Sequence, residues 1–115
     1  MRVYLYTIRP TAVNLAWAID RMLAVIRKTD TKDNIEEFID IIEKEALTIH
    51  EEDATMCHNM GEYGYPLISK CSGLLTHCNA GCLATGGIGT ATALFVCKYY
   101  RRTSRNVYVR CLCWY

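Results

Sequence analysis

Three places in this 115-residue chain hold residue types whose spacing could do chemistry. The first is Cys78. It ends the run Gly73-Leu74-Leu75-Thr76-His77-Cys78, which reads as a short buried strand, and it opens a stretch of small residues from Asn79 to Gly89. In open parallel sheets, ligands collect outside the carboxyl ends of the strands. A thiol there can act as nucleophile or as acid/base, depending on its pKa. The second is the loop Ala84-Thr85-Gly86-Gly87-Ile88-Gly89-Thr90. Such a loop can cradle a phosphate on backbone N–H groups, or let chain segments pack closely. It matches neither the Walker pattern nor G-x-G-x-x-G. The third is Arg9, followed by Pro10-Thr11-Ala12-Val13-Asn14, where a guanidinium at a helix entrance can grip a phosphate with two hydrogen bonds. His50 and His58 read as solvated, and His77 as pointing away from Cys78.

The elements that must position these groups follow from periodicity. Leu15, Ile19, Met22 and Ile26 mark one buried stripe of a helix over 11–28, with Pro10 in its first turn. After a polar loop, Asp33 or Asn34 can cap a second helix. Its stripe is Ile35, Phe38, Ile39, Ile42, Ala46 and Ile49, and Glu36, Glu37, Asp40, Glu43 and Glu51 fill its outer face. That helix is expected to reach Asn59 and to be broken by Gly61, Gly64 and Pro66, with Leu67 and Ile68 forming a short apolar turn. Residues 90–100 read as a helix and 106–109 as a strand. From residue 74 onward the order is strand, glycine loop, helix, strand. The expected fold is therefore α/β: a helical section over 9–66, then part of a parallel, Rossmann-like α/β sheet over 67–115.

Composition bounds the rest. An apolar fraction of 51% and two prolines argue against wholesale disorder. No apolar run reaches the roughly 18 residues of a membrane span, and no signal peptide is expected, because Arg9 and Pro10 interrupt the early apolar stretch. The seven cysteines lack a C-x-x-C pair and read as reduced thiols of a cytoplasmic protein; apart from Cys78 they read as buried and structural. Cys57–His58 and His77–Cys78 are adjacent in sequence, and neighbouring side chains on a strand point to opposite faces, which disfavours a zinc site. The net charge of +1 conceals segments of +4 (1–29), −9 (30–62) and +6 (63–115). A basic last third can suggest nucleic acid through Arg101, Arg102, Arg105 and Arg110; the preferred reading is a solvated acidic face followed by an apolar segment with a basic end, and no nucleic-acid partner.

The ordered motifs Arg9-Pro-Thr-Ala-Val-Asn-Leu15, Leu75-Thr-His-Cys-Asn-Ala-Gly81 and Leu83-Ala-Thr-Gly-Gly-Ile-Gly-Thr90 resemble those of the methylthioribose-1-phosphate isomerases. These enzymes of methionine salvage are related to regulatory subunits of a translation-initiation guanine-nucleotide exchange factor. The motifs cover residues 9–97. The resemblance implies an aldose-to-ketose isomerisation of a phosphorylated pentose without a cofactor or metal, with Cys78 as the active-site cysteine. It further implies Arg9 as a phosphate-side substrate ligand, Asn79 and Gly81 beside the substrate, and a homodimer.

Some features depart from that pattern. No arginine-glycine-alanine-proline motif precedes Arg9, residues 1–8 do not resemble the family, and no Asp or Glu follows Glu62 to serve as the family's acid/base aspartate. After Val109 the family pattern is lost, as in a truncated gene or a shifted reading frame. The expectation is one incomplete fragment over 1–115, inactive alone, with exposed apolar faces that favour association. The alternative is a non-catalytic module like the initiation-factor relatives.

Overall fold

The computed structural model describes residues 2–8, 13–29, 34–77, 80–101 and 108–112. In chain order these form α1 (Arg2–Ile8), α2 (Val13–Lys28), α3 (Ile35–Ile68), β1 (Gly73–His77), a 3-10 turn (Cys82–Ala84), α4 (Ala91–Tyr100) and β2 (Tyr108–Leu112). Helix dominates, with one small parallel sheet. The chain divides into two compact units, Met1–Ile49 and His50–Tyr115.

In the first unit, the Tyr6 hydroxyl of α1 donates to the Ala16 carbonyl of α2 at 3.4 Å. Leu15, Ile19 and Met22 are half-buried, as their spacing requires, but Ile26 is exposed and no residue of α2 is fully buried. Arg21 lies over the Trp17 ring and donates to Glu45 Oε1 of α3 at 2.5 Å. Asn34 caps α3, its Oδ1 accepting the Glu37 N–H at 3.3 Å, while Glu36 and Glu37 oppose the positive helix end. The acidic outer face is solvated as expected, but Ile35, Ile39 and Ala46 of the expected buried stripe are exposed as well.

The second unit corrects the end of α3. The helix runs through Gly61, Gly64 and Pro66 to Ile68. The two glycines make room for α4: a Cβ on Gly61 would lie 2.6 Å from Cys97 Sγ, and one on Gly64 would lie 2.7 Å from Leu94 Cδ2. Pro66 is third from the end, where a proline costs one backbone bond rather than a helix. The carbonyls beyond it find donors. Ser69 Oγ donates to Pro66 O at 2.9 Å, Cys71 N to Ile68 O at 3.0 Å, and Lys98 Nζ to Ile68 O at 3.0 Å.

β1 and β2 pair in parallel, from Gly73 opposite Tyr108 to His77 opposite Leu112. The expected strand, glycine loop, helix, strand order is present, and β2 is described over 108–112; residues 106, 107 and Cys78 lie outside the described residues. β1 is not the buried strand its apolar run suggests. Thr76 is its buried side chain, whereas Leu75 is 70% exposed. The core of this unit gathers Cys57, Ala80, Ala93, Phe95 and Cys97, with the buried ammonium of Lys98 beside them. Among the described residues, no helix is long and apolar enough to cross a membrane.

Candidate functional site at the carboxyl end of β1

The chain leaving β1 is fastened to the start of α4. Ala80 is buried, and its carbonyl accepts both the Thr90 N–H at 3.0 Å and the Thr92 hydroxyl at 2.8 Å. Gly89 closes against the same point with φ +94°, a left-handed conformation that L side chains rarely adopt. A Cβ on Gly89 would overlap Thr92 Oγ1 and the Ala80 carbonyl and lie 3.0 Å from Gly81 Cα. The loop thus starts and ends at one place.

Its middle is pressed onto α3. The Gly86 N–H donates to Asp53 Oδ2 at 2.6 Å. A Cβ on Gly86 would lie 2.9 Å from His50 Nδ1, and one on Gly87 would lie 3.1 Å from Ala54 Cα. Of the two roles open to the glycine loop, close packing therefore accounts for Gly86, Gly87 and Gly89. The Gly86 N–H already serves an internal carboxylate, so it is not a free donor for a ligand.

Of the residues singled out from sequence, Arg9, Cys78 and Asn79 lie outside the described residues. Gly81 is described. It is extended (φ −95°, ψ −177°), its carbonyl accepts the Ala84 N–H at 3.0 Å, and a Cβ there would meet nothing within 4 Å. Open space in place of a side chain suits a position beside a ligand. The described neighbours of Cys78 and Asn79 are His77, exposed at the end of β1, and Ala80, bound at the mouth of α4.

The remaining thiols divide. Cys57 and Cys97 are buried and free, as expected, but Cys71 and Cys82 are free and exposed, which corrects the reading of all six as buried. Cys97 is held in its neutral form. Burial pushes its pKa above the ordinary value of 9.0, the Glu62 charge and its hydrogen bond to the thiol add to the rise, and Arg101 opposes it. Such a thiol is a poor nucleophile. His50, His58 and His77 are exposed. Among the described residues, no group of three or more His, Cys, Asp or Glu side chains could hold a metal ion. Arg101 pairs with Glu62 and lies over the Tyr65 ring.

Two residues escaped sequence reasoning. Asp53 continues the α3 stripe that runs through Ile42, Ala46 and Ile49 toward Cys57, so a carboxylate on an apolar face was the available signal. Lys98 lies on the apolar α4 among Phe95, Val96 and Cys97, which was the same kind of signal.

A family model described as the Initiation factor 2 subunit family matches residues 2–112, and the chain belongs to that family. The match extends on both sides of residues 9–97, so residues 2–8, which look unrelated by motif alone, are included. The chain is 51% identical over 92 residues to methylthioribose-1-phosphate isomerase from Bacillus cereus, covering 80% of this chain and 25% of that protein. It is 47% identical over 90 residues to the protein of the same name from Rhodopirellula baltica, covering 78% and 25%. It is 46% identical to 5-deoxyribose 1-phosphate isomerase from Moorella thermoacetica, again covering 78% and 25%. Among solved structures, it is similar to the translation initiation factor eIF-2B, subunit delta, from A. fulgidus, with a TM-score of 0.72 and 35% identity, over 94% of this chain and 30% of that one. The chain spans about a quarter of the length of these isomerase-named relatives.

Proposed function

We propose that this chain carries the thiol-bearing part of a sugar-1-phosphate aldose–ketose isomerase of methionine salvage, acting on 5-methylthioribose 1-phosphate in the cytoplasm. The carrying observation is the fastening of Ala80 to Thr90 and Thr92, which sets the strand-to-loop exit against the mouth of α4. In this reading Cys78 is the acid/base thiol, Arg9 grips the phosphate, and Asn79 and Gly81 border the sugar. The helical section over 9–66 and the α/β unit over 67–115 are parts of a larger Rossmann-like fold that is homodimeric.

The chemistry balances within the substrate. The ring C1–O4 bond breaks, the hydrogen on C2 moves to C1, and the O2 proton ends on O4, leaving a carbonyl at C2. No electron is gained or lost, so no redox cofactor is needed. Each transfer needs a poised acid/base group and a sugar held still by its phosphate. With no Asp or Glu after Glu62, the second acid/base group has no counterpart here. These 115 residues are therefore proposed to bind the sugar phosphate and not to turn it over.

Two experiments test this. 5-Methylthioribose 1-phosphate should raise the melting temperature of the chain, and Arg9→Ala should abolish that rise. A chimera with residues 9–97 replacing the matching segment of the B. cereus protein should produce ketose, and Cys78→Ser should lower its rate by about 10²–10⁴. A folded but inactive chimera, or an active Cys78→Ser form, overturns the assignment. The similarity to the eIF-2B delta subunit favours a second reading, a non-catalytic binding module. That reading predicts an inactive chimera and no response to the sugar phosphate.

A further inference from the structure

Asp53 sits on the face of α3 that otherwise carries apolar and small residues, and it is half-buried. Its Oδ2 accepts the Gly86 N–H at 2.6 Å, a short bond to a charged acceptor, which is the stronger class of hydrogen bond. The loop backbone lies tight against α3 at the same place: a Cβ on Gly86 would come 2.9 Å from His50 Nδ1 and 3.0 Å from the His50 carbonyl, and one on Gly87 would come 3.1 Å from Ala54 Cα. The two ends of the same loop meet at Ala80 and Gly81: the Thr90 N–H donates to the Ala80 carbonyl, and a Cβ on Gly89 would lie 3.0 Å from Gly81 Cα. One carboxylate therefore holds the centre of a loop whose ends form the exit from β1.

We propose that Asp53 is a positioning residue for the sugar-phosphate site, acting through Gly86 to hold the 84–90 loop against α3 and so to keep Gly81 and the entry to α4 in the arrangement that receives the substrate. The inference rests on the reading of Cys78 as the substrate-facing thiol. Asp53 itself touches no substrate; its engaged oxygen is spent on the loop.

Iodoacetamide labelling of the full chain, resolved by mass spectrometry at each cysteine, separates the inference from the reading beneath it. 5-Methylthioribose 1-phosphate should protect Cys78 in the unmodified chain. In Asp53→Ala, half-protection should need about ten- to a hundredfold more sugar phosphate, while buried Cys97 stays slow to label and so reports an intact fold. Asp53→Asn keeps an oxygen for the Gly86 N–H and should restore protection to within about threefold. Gly86→Ala, which forces the loop away from His50 with Asp53 intact, should weaken protection as Asp53→Ala does. Full protection in a folded Asp53→Ala chain overturns the role of Asp53 and leaves the reading of Cys78 standing. Lack of protection in the unmodified chain overturns both. Where Asp53→Ala exposes Cys97, Gly86→Ala decides: weakened protection supports the inference, and protection at the unmodified concentration overturns it.

Discussion

The ammonium of Lys98 donates to the carbonyl of Ile68 at 3.0 Å, and also to that of Cys71, while its side chain is 2% exposed. A lysine from the last turn of α4 thus closes the carboxyl end of α3 and steadies the chain just before β1. Its charge opposes the negative end of the α3 dipole, and its donors satisfy carbonyls that a helix end leaves orphaned.

Lys98→Met should therefore destabilise the chain well beyond the loss of one surface charge. It removes a buried charged donor: the Ile68 carbonyl keeps only the Cys71 N–H and the Cys71 carbonyl loses its ammonium partner, at a cost of about 1–3 kcal/mol. The urea midpoint should fall accordingly. An unchanged midpoint would mean that the two carbonyls find other donors, and that Lys98 does not hold α3 to α4.

The crossing of α3 and α4 at Gly61 makes a second prediction. Gly61→Ala places a methyl 2.6 Å from Cys97 Sγ and 3.0 Å from the Ala93 carbonyl. Overpacking of this kind costs about 1–3 kcal/mol, although alanine is the better helix former. Cys97→Ala removes the sulfur, so the pair should show a favourable coupling of at least about 0.5 kcal/mol in a double-mutant cycle. Additive effects would place the clash at Ala93 rather than at the thiol.

The same crossing explains what was legible in the sequence and what was not. β1, the glycine loop, α4 and β2 follow in the expected order because an apolar run, a cluster of small residues and a helical period are local signals. The end of α3 was not legible, since Gly61, Gly64 and Pro66 carry the local marks of helix breakers. Each glycine costs roughly 1 kcal/mol in a helix, and contact with Cys97 and Leu94 outweighs it. The exposure of Leu75 was hidden for a related reason: an apolar run shows that a strand wants cover, not whether a neighbour supplies it. At the site, the role of the glycines was open from sequence because phosphate cradles and close packing use the same residues. Asp53 and His50, distant in sequence, decide it in favour of packing at Gly86.

Alkaline pH should weaken the fold through Cys97. Its folded pKa lies above the ordinary 9.0, through burial first and Glu62 second. Above pH 9 the unfolded chain therefore releases the thiol proton while the folded chain keeps it. With fewer protons bound in the unfolded state, stability falls as pH rises past 9, until the folded thiol also ionises, and it is unaffected by this group below that range. The informative quantity is the difference between the unmodified chain and Cys97→Ala across pH 8–11 in denaturant melts. Cys97→Ala should lose part of the alkaline decline. Parallel curves would show that the thiol is not held neutral by its surroundings.

Gly81 and Gly89 stand at the two ends of one loop, with a Cβ on Gly89 only 3.0 Å from Gly81 Cα, yet they should respond oppositely to alanine. Gly89 has φ +94°, and a methyl there overlaps Thr92 and the Ala80 carbonyl, so Gly89→Ala should cost about 3 kcal/mol or more. Gly81 has an ordinary extended backbone, and its methyl would meet nothing within 4 Å. Gly81→Ala should thus change stability by no more than about 0.5 kcal/mol. If Gly81 borders the sugar phosphate, that same methyl occupies the ligand's space, and the thermal shift caused by 5-methylthioribose 1-phosphate should shrink although the fold is intact. A Gly81→Ala chain with both normal stability and a normal shift would remove Gly81 from the site, because the methyl would then point into solvent the ligand never enters.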